Sequence, residues 1–169
     1  QLFTGGVTYA NAAPIAGTVM LYLLALSRGL PRWLQAQAAH EWSPAPFRDL
    51  DGQGLLVVGY GPIGREVVRL ATAFGMRPTV LRRSAHGDEG CPVRPLSELT
   101  DAVRHADAVV VALPLAPETR GIISADELSL MERHAWLINV ARGAHVVTDD
   151  LVVALRSRTI GGAGLDVTE

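Results

Sequence analysis

Hydrophobic positions along most of the chain form short continuous runs that alternate with amphipathic stretches. The apolar runs lie at 55–58, 79–81, 108–112, 135–138 and 160–167. Runs that are apolar at every position are typical of strands buried on both faces, as in a parallel sheet. Helical patterns lie between them at 63–74, 97–105, 124–131 and 149–156. This alternation predicts an α/β fold with a doubly wound parallel sheet.

The first fifty residues have a different pattern. Pro14 is placed near a predicted helix start, residues 15–27 have helical composition, and Gly29 to Pro31 are expected to end the helix. Residues 34–40 can continue as helix, and the Ser-Pro-Ala-Pro stretch at 43–46 is typical of a linker. We therefore predict one domain over 1–169, with a leading helix and linker at 1–50 and the core at 51–169.

The apolar segment of the leading helix is the one candidate for membrane insertion. Its solidly apolar part, residues 15–26, is shorter than the roughly 20 residues that span a bilayer. No basic head precedes it, which disfavours a signal peptide. We expect a cytoplasmic protein that has no membrane partner.

Composition narrows the possible chemistry. The chain has 169 residues, of which 49% are hydrophobic and 19% charged, and this suits one compact domain. Its net charge of -2 gives no indication of nucleic-acid binding. All 15 basic residues are arginines, so a catalytic lysine and a lysine-bearing phosphate loop are excluded within this sequence. A single cysteine, Cys91, excludes an internal disulfide and a multi-cysteine metal site, and we predict no metal.

A glycine-rich turn follows the first predicted strand. It reads G-x-G-x-x-G, with Gly59 for a tight turn, Gly61 for close approach to a pyrophosphate and Gly64 for close helix packing. Pro62 suits a first helical turn, and the helix start offers free N–H groups to an anion. We predict dinucleotide binding. A methyltransferase-like nucleotide site uses a similar turn and is the competing interpretation, whereas a turn without a ligand would waste helix propensity.

The end of the second strand bears on the choice of dinucleotide. NAD-specific folds place an acid about 20 residues beyond the turn, where this chain has Arg82, Arg83 and Ser84. Asp88 and Glu89 come several residues too late. Guanidinium groups match a 2′-phosphate, so the pattern favours NADP over NAD, with use of both possible. The alternative is that the two arginines are a solvated surface pair.

Three further motifs follow later strands. They are Ala-Leu-Pro-Leu-Ala-Pro-Glu-Thr-Arg-Gly at 112–121, Ile-Asn-Val-Ala-Arg-Gly at 138–143 and Gly-Ala-Gly-Leu-Asp-Val at 162–167. Together with the glycine turn, the chain resembles the NAD(P)-binding domain of the D-isomer-specific 2-hydroxyacid dehydrogenases from near Val7 to Glu169. The resemblance implies a Rossmann-type fold and hydride transfer between a nicotinamide cofactor and a 2-hydroxy or 2-oxo acid. Members have a second, substrate-binding domain, which we expect to be absent from this chain.

The resemblance assigns the catalytic arginine of the family to Arg142. A guanidinium there can grip a substrate carboxylate and polarise the adjacent keto group. The alternative is an arginine paired with Asp149 or Asp150. The glutamate and histidine of the family fall beyond Glu169, and His145 is not expected to replace the histidine as proton donor. We therefore expect the chain by itself to be inactive.

The other family positions are cofactor contacts. The resemblance implies that Pro62 and Ile63 flank the pyrophosphate and that Leu113 and Pro114 cover the adenine. It places the backbone of Val140 and Ala141 along the cofactor, and it implies that Asp166 bonds the nicotinamide carboxamide. Thr119 is either a contact or a cap of the following turn. The chain departs from the family at residues 15–18 and at Arg82, which replaces a common aspartate.

The predicted partners are a small 2-oxo or 2-hydroxy acid and a second copy of the chain. Family members pack the helix that corresponds to 15–26 against another subunit, so this resemblance predicts a homodimer. The predicted exposed apolar face comprises Met20, Leu21, Leu23, Leu24 and Leu26. The alternative function is a non-catalytic module of the same fold that senses a dinucleotide or mediates dimerisation.

Overall fold

A six-stranded parallel sheet forms the centre of the protein. The computed structural model describes residues 9–83 and 90–169. The strands are β1 (Gly54–Val58), β2 (Arg77–Arg82), β3 (Val93–Pro95), β4 (Ala108–Val111), β5 (Trp136–Asn139) and β6 (Gly162–Leu165). Their order is β3-β2-β1-β4-β5-β6, and every neighbouring pair is parallel. This is the doubly wound order, so the predicted fold class is confirmed.

Helices cover both faces of the sheet. They are α1 (Tyr9–Arg28), α2 (Leu30–Ala38), α3 (Pro62–Ala73), α4 (Leu99–Ala102), α5 (Ala125–Leu130) and α6 (Thr148–Arg156). Short 3₁₀ turns lie at Leu96–Glu98, Val103–His105, Pro117–Thr119 and Gly143–His145. α1 and α3 pack together over one face, and α4, α5 and α6 cover the other.

Strand β1 shows why its apolar run is continuous. Leu55 and Val57 belong to the core under α1 and α3, whereas Leu56 and Val58 belong to the core under α4 to α6. Successive side chains of a strand point to opposite faces, so a strand covered on both sides needs an apolar residue at every position.

Three elements differ from the sequence prediction. Pro14 lies inside α1 rather than near its start, because the helix already includes Tyr9. α2 begins at Leu30 instead of continuing from residue 34, since Gly29 at φ 67° separates the two helices and Pro31 fits the first turn of α2. β3 was not predicted, because three residues are too few for a periodic pattern.

The predicted exposed face on α1 is wrong. Met20 and Leu23 are buried because α1 packs on α3, and Leu24 and Leu26 are half-buried. Only Leu21 of that set is largely exposed, at 60%. Several large exposed apolar side chains lie instead on α2 and the segment after it: Trp33, Leu34, Trp42 and Phe47.

Membrane-spanning potential is limited among residues 9–83 and 90–169. None of these helices is by itself long and apolar enough to cross a bilayer. α1 and α2 reach that length and composition only as a pair bent by 63°.

Candidate cofactor and substrate site

The described site residues that the sequence predicted lie at or near one edge of the sheet. Gly59 and Gly61 follow β1, Arg82 ends β2 and Arg83 follows it, Leu113 and Pro114 follow β4, Val140, Ala141 and Arg142 follow β5, and Asp166 follows β6. Because all strands are parallel, their carboxyl ends share this edge, where doubly wound sheets bind ligands. Pro62, Ile63 and Gly64 form the first turn of α3, and Thr119 ends a 3₁₀ turn after β4. Ser84 lies outside the described residues.

Two glycines pack the turn tightly against its neighbours. Gly59 has φ 107°, and a Cβ there would lie 2.7 Å from the carbonyl oxygen of Ala112. A Cβ on Gly64 would overlap the carbonyl oxygen of Gly59. The first close approach joins the turn to the segment after β4, and the second lets α3 start directly against the turn.

Gly61 has the opposite surroundings. It is the N-cap residue of α3, and a Cβ built on it would meet no protein atom within 4 Å. The helix has no side-chain cap at this end, and its first turn contains no acidic residue. Open space beside the positive end of a twelve-residue helix fits a pyrophosphate.

A cavity of about 650 Å³ opens beside this turn. Its lining comes from the ends of β1, β2 and β4 and from the turns that follow them: Gly59, Tyr60, Gly61, Leu81, Arg82, Arg83, Leu96, Leu113, Pro114, Ala116, Glu118 and Thr119. Leucines and a proline form apolar walls, and two arginines lie at the end of β2. This combination suits a nucleoside: the apolar walls fit a flat heteroaromatic base, and the arginines fit an anionic group on its ribose.

The two predicted phosphate-binding arginines have different surroundings. Arg83 forms an ion pair with Glu118, which also lines the cavity. The Arg82 guanidinium lies 5.7 Å from the centre of the Tyr60 ring, and that of Arg65 lies 5.1 Å from it. Because Arg82 ends β2, where NAD-specific folds place the acid that contacts the ribose, it is the stronger candidate for a phosphate.

Sequence reasoning did not single out Tyr60 or Arg65. The consensus turn leaves the position of Tyr60 unspecified. Arg65 did carry a signal, because a cation in the first turns of a helix opposes the helix dipole and therefore calls for a local explanation.

The backbone of Arg142 is held by two buried side chains. The amide of Asn139 donates to the Arg142 carbonyl at 2.9 Å, and its oxygen accepts from the Ala141 N–H at 3.0 Å. The ring of His145 places Nδ1 3.2 Å from the Arg142 nitrogen and 3.1 Å from its oxygen. The side chain of Arg142 is exposed, with one guanidinium nitrogen 2.7 Å from the Ala141 carbonyl. The backbone of this turn is thus fixed, while the side chain of Arg142 faces solvent.

Among the described residues, the contacts support neither an ion pair of Arg142 with Asp149 or Asp150 nor a role of His145 as proton donor. Asp150 accepts a hydrogen bond from the Ala125 N–H rather than pairing with Arg142. His145 is fully buried, and its Nε2 has no hydrogen-bond partner among the described residues. Its position under the Arg142 backbone is that of a support.

Thr119 acts as a cap within its own turn. Its hydroxyl accepts from the Ala116 N–H at 2.8 Å and lies 3.1 Å from the carbonyls of Pro114 and Ala116. The side chain is 3% exposed and forms part of the cavity wall. The cap interpretation therefore accounts for the hydroxyl, and the residue contributes shape to the cavity.

The doubly wound sheet, the glycine turn and the open crevice define a nucleotide-binding domain. The family model "D-isomer specific 2-hydroxyacid dehydrogenase, NAD binding domain" matches residues 20–169. The chain belongs to this family, whose members are NAD(P)-dependent oxidoreductases.

Individual relatives support the same family assignment. The chain is 42% identical over 134 residues to a glyoxylate reductase of Thermococcus kodakarensis, covering 76% of this chain and 39% of that protein. It is 32% identical over 167 residues to a D-3-phosphoglycerate dehydrogenase of Methanocaldococcus jannaschii, covering 95% and 31%. Among solved structures, the chain matches the NADPH-dependent glyoxylate/hydroxypyruvate reductase of Sinorhizobium meliloti in complex with NADP and sulfate. The TM-score is 0.89 at 27% identity, and the match covers 97% of this chain and 54% of that chain. The chain thus spans from about a third to about half of the length of these relatives.

Proposed function

We propose that the chain provides the cofactor-binding domain and the substrate-binding arginine of an NADP(H)-preferring reductase of small 2-oxo acids. The observation that carries the proposal is the open space at Gly61, beside the N-terminus of α3. It lies at the same carboxyl edge of the sheet as Arg142. A bound nicotinamide dinucleotide supplies the hydride that reduces the keto group, or accepts it in the reverse direction.

The dinucleotide would lie across the edge from β2 to β6. The first turn of α3 would hold the pyrophosphate by its N–H groups, with Pro62 and Ile63 flanking it. Leu113 and Pro114 would cover the adenine in the cavity after β4. The Val140–Ala141 backbone and the Asp166 carboxylate would position the nicotinamide end.

Arg142 would bind the substrate. Its exposed guanidinium can hold the carboxylate of a 2-oxo acid in a bidentate grip and place positive charge beside the keto oxygen, where negative charge develops during reduction. Because Asn139 and His145 fix the backbone of the turn, the side chain starts from a defined point. The family resemblance leaves the proton donor to a histidine outside these residues.

The preference for NADP(H) rests on the end of β2. Arg82 lies on the cavity wall, where NAD-specific folds place an acid, and Ser84 follows two residues later in the sequence. A guanidinium favours the 2′-phosphate and offers a ribose hydroxyl much less. The NADP complex of the Sinorhizobium meliloti reductase supports the same choice.

Two measurements test the proposal. Titration of the chain with NADPH and NADH is expected to give saturable binding, with NADPH tighter. The complete protein is expected to oxidise NADPH with glyoxylate or hydroxypyruvate, and phenylpyruvate serves as a bulkier comparison. Binding without turnover in the complete protein would favour the non-catalytic module, and binding of adenosylmethionine without NADPH would indicate a methyltransferase.

We further propose that the protein is a homodimer that uses the surface of α2 and the following segment. This surface contains Trp33, Trp42 at 93% exposure and Phe47, and it borders a groove of about 780 Å³. Exposed aromatic side chains of this density are typical of protein interfaces. Sedimentation of the wild type is expected to show a dimer that Trp42→Ser weakens. The control Val153→Ser, at a 66% exposed site on α6, should leave it intact.

A further inference from the structure

We propose that His145 is a positioning residue for substrate binding and that it acts through one tautomer of its ring. In that tautomer Nδ1 carries no proton and accepts from the Arg142 N–H, while Nε2 carries the proton. The inference rests on the proposed function, in which Arg142 binds the carboxylate of a 2-oxo acid. It adds the proton arrangement that the site requires of a buried histidine, and the effect of that arrangement on substrate binding.

The contact between the two residues is a capping interaction at a short 3₁₀ turn. Arg142 is the N-cap residue of the turn Gly143–His145, and His145 is the last residue of that turn. The Arg142 N–H donates to Nδ1 of the His145 ring at 3.2 Å. In a capping box, a glutamate or glutamine at this position accepts the N–H of the N-cap residue. The imidazole of His145 takes the place of that side chain.

The hydrogen bonds of the Arg142 backbone decide the tautomer. Its carbonyl oxygen already accepts from the Asn139 amide at 2.9 Å and from the His145 N–H at 3.2 Å, so both lone pairs have donors. Among the described residues, its N–H has no acceptor besides Nδ1. A proton on Nδ1 would therefore leave two groups unpaired, the Arg142 N–H and Nε2, whereas a proton on Nε2 leaves only one.

Burial makes the remaining unpaired group costly. His145 is fully buried, and its Nε2 has no hydrogen-bond partner in the part of the chain that the structure describes. An aliphatic side chain of similar size would avoid the cost of a buried donor without an acceptor. A histidine here lowers stability locally, as expected of a residue with a functional role. Its contacts indicate that this role is to hold the Arg142 backbone.

The held backbone matters because the arginine side chain is long and exposed. Such a side chain loses rotamer freedom when it binds a carboxylate, and a backbone that had to be ordered as well would add to this loss. With Nδ1 on its N–H and Asn139 on its carbonyl, Arg142 has a fixed backbone before the substrate arrives. Loss of Nδ1 should weaken substrate binding and spare dinucleotide binding, because the pyrophosphate is proposed to lie at a separate element, α3.

The first measurement is the tautomer itself, which requires no substrate. Long-range ¹H–¹⁵N correlation spectra of the labelled chain distinguish a ring nitrogen that carries a proton from one that does not. The ring signals that disappear in His145→Asn identify those of His145. We expect the proton on Nε2. Amide hydrogen exchange gives a second readout, because the Arg142 N–H loses its acceptor in His145→Leu and should exchange about fivefold faster or more.

Kinetics of the complete protein test the consequence. His145→Leu removes the acceptor, and His145→Asn keeps one, because the asparagine oxygen can lie where Nδ1 lies. We expect His145→Leu to raise KM for glyoxylate about tenfold and to change the NADPH dissociation constant less than about twofold. His145→Asn should recover most of this loss. The control Ile123→Val removes one methyl group from a buried residue whose N–H donates to the His145 carbonyl, and it should leave KM unchanged.

Several results would overturn the inference. They are a proton on Nδ1, an unchanged KM in His145→Leu, an Asn variant that behaves like the Leu variant, and a loss of NADPH affinity as large as the loss of substrate affinity. Should His145→Leu fail to fold, the tautomer in the wild type still decides. An absence of turnover by the wild type, with the proton found on Nε2, would instead refute the proposed function.

Discussion

Backbone N–H groups have different partners at the two edges of the sheet, the amino edge where the parallel strands begin and the carboxyl edge where they end. At the amino edge, Asp107 accepts a 2.7 Å hydrogen bond from the Gly54 N–H, a 3.1 Å bond from Arg48 and a 2.6 Å contact from His134. At this edge, a carboxylate of the protein itself accepts the hydrogen bond from the backbone N–H. At the carboxyl edge, the α3 N-terminus at Gly61 has no side-chain cap and faces open space.

The difference separates stability from function. A backbone N–H that is served by an internal carboxylate contributes to the folded state, whereas donors that face a crevice are available to a ligand. Substitutions of groups that face the crevice at the carboxyl edge should therefore change binding and rate with little effect on unfolding. Substitutions at the amino edge should do the reverse.

Arg142→Met should have the largest effect on function. Loss of the group that holds the carboxylate and polarises the keto oxygen is expected to lower kcat/KM of the complete protein by about 10²–10³-fold. NADPH affinity and the unfolding temperature should stay near wild type, because the side chain is exposed. Arg104→Met, an exposed arginine before β4, is the amino-edge control. A kcat/KM within about threefold of wild type for Arg142→Met would remove this residue from the site.

A pair of glycine substitutions divides packing from binding inside one turn. Gly64→Ala places a methyl group against the Gly59 carbonyl and should cost about 3 kcal/mol of unfolding free energy. Gly61→Ala meets no protein atom within 4 Å and should cost less than about 1 kcal/mol, while NADPH affinity falls about tenfold. Denaturant unfolding and NADPH titration measure both. A Gly61→Ala chain that binds NADPH normally would show that the pyrophosphate lies elsewhere.

Arg82→Asp should exchange the cofactor preference. The carboxylate repels a 2′-phosphate and can accept from a ribose hydroxyl, so the ratio of NADPH to NADH affinity should fall by about 30-fold or more. Arg83→Asp is the matched control and should have a smaller effect, because Arg82 and not Arg83 occupies the end of β2, where NAD-specific folds place the acid. Equal changes in the two variants would contradict the distinction between these arginines.

Asp107→Asn should have the smallest effect and a purely structural one. The amide keeps an acceptor for Gly54 but loses the charge opposite Arg48, so unfolding free energy should fall by about 1–2 kcal/mol with NADPH affinity unchanged. A loss of cofactor affinity in this variant would break the separation between the two edges.

The acid sensitivity of the wild type follows from the same carboxylate. Burial raises the pKa of Asp107, but hydrogen bonds from Gly54 and His134 and the charge of Arg48 outweigh it, so the pKa lies below its usual value. Its contribution is therefore complete above about pH 4, the range of an unfolded aspartate, and is lost as pH falls through the folded pKa. Below pH 4 the stability difference between wild type and Asp107→Asn should shrink, as acid titrations of unfolding would show.

Much of the fold could be predicted because its sheet is buried on both faces. The runs at 55–58 and 108–112 overlap β1 and β4, since every position of these strands needs an apolar side chain. Lengths and starts of the leading helices were less accessible. Met20 and Leu23 look like an exposed face in sequence and are buried only because α3 packs on α1.

The candidate site divides in a similar way. Gly59, Gly61 and Gly64 were predictable because their spacing reflects local backbone requirements. The contact between Tyr60 and Arg82 joins residues from two different strand ends, and the support of Arg142 by His145 depends on a ring turned inward. Such relations arise from tertiary packing, which periodicity along the chain does not encode.

Backbone amide NMR of this 18.0 kDa chain during titration with NADPH tests the central claim most directly. We expect saturable shifts at the amides of Tyr60, Gly61, Ile63 and Val140, with those of Gly54 and Asp107 unmoved. Shifts concentrated at the amino edge, or none that saturate, would contradict the assignment of the dinucleotide to the carboxyl edge.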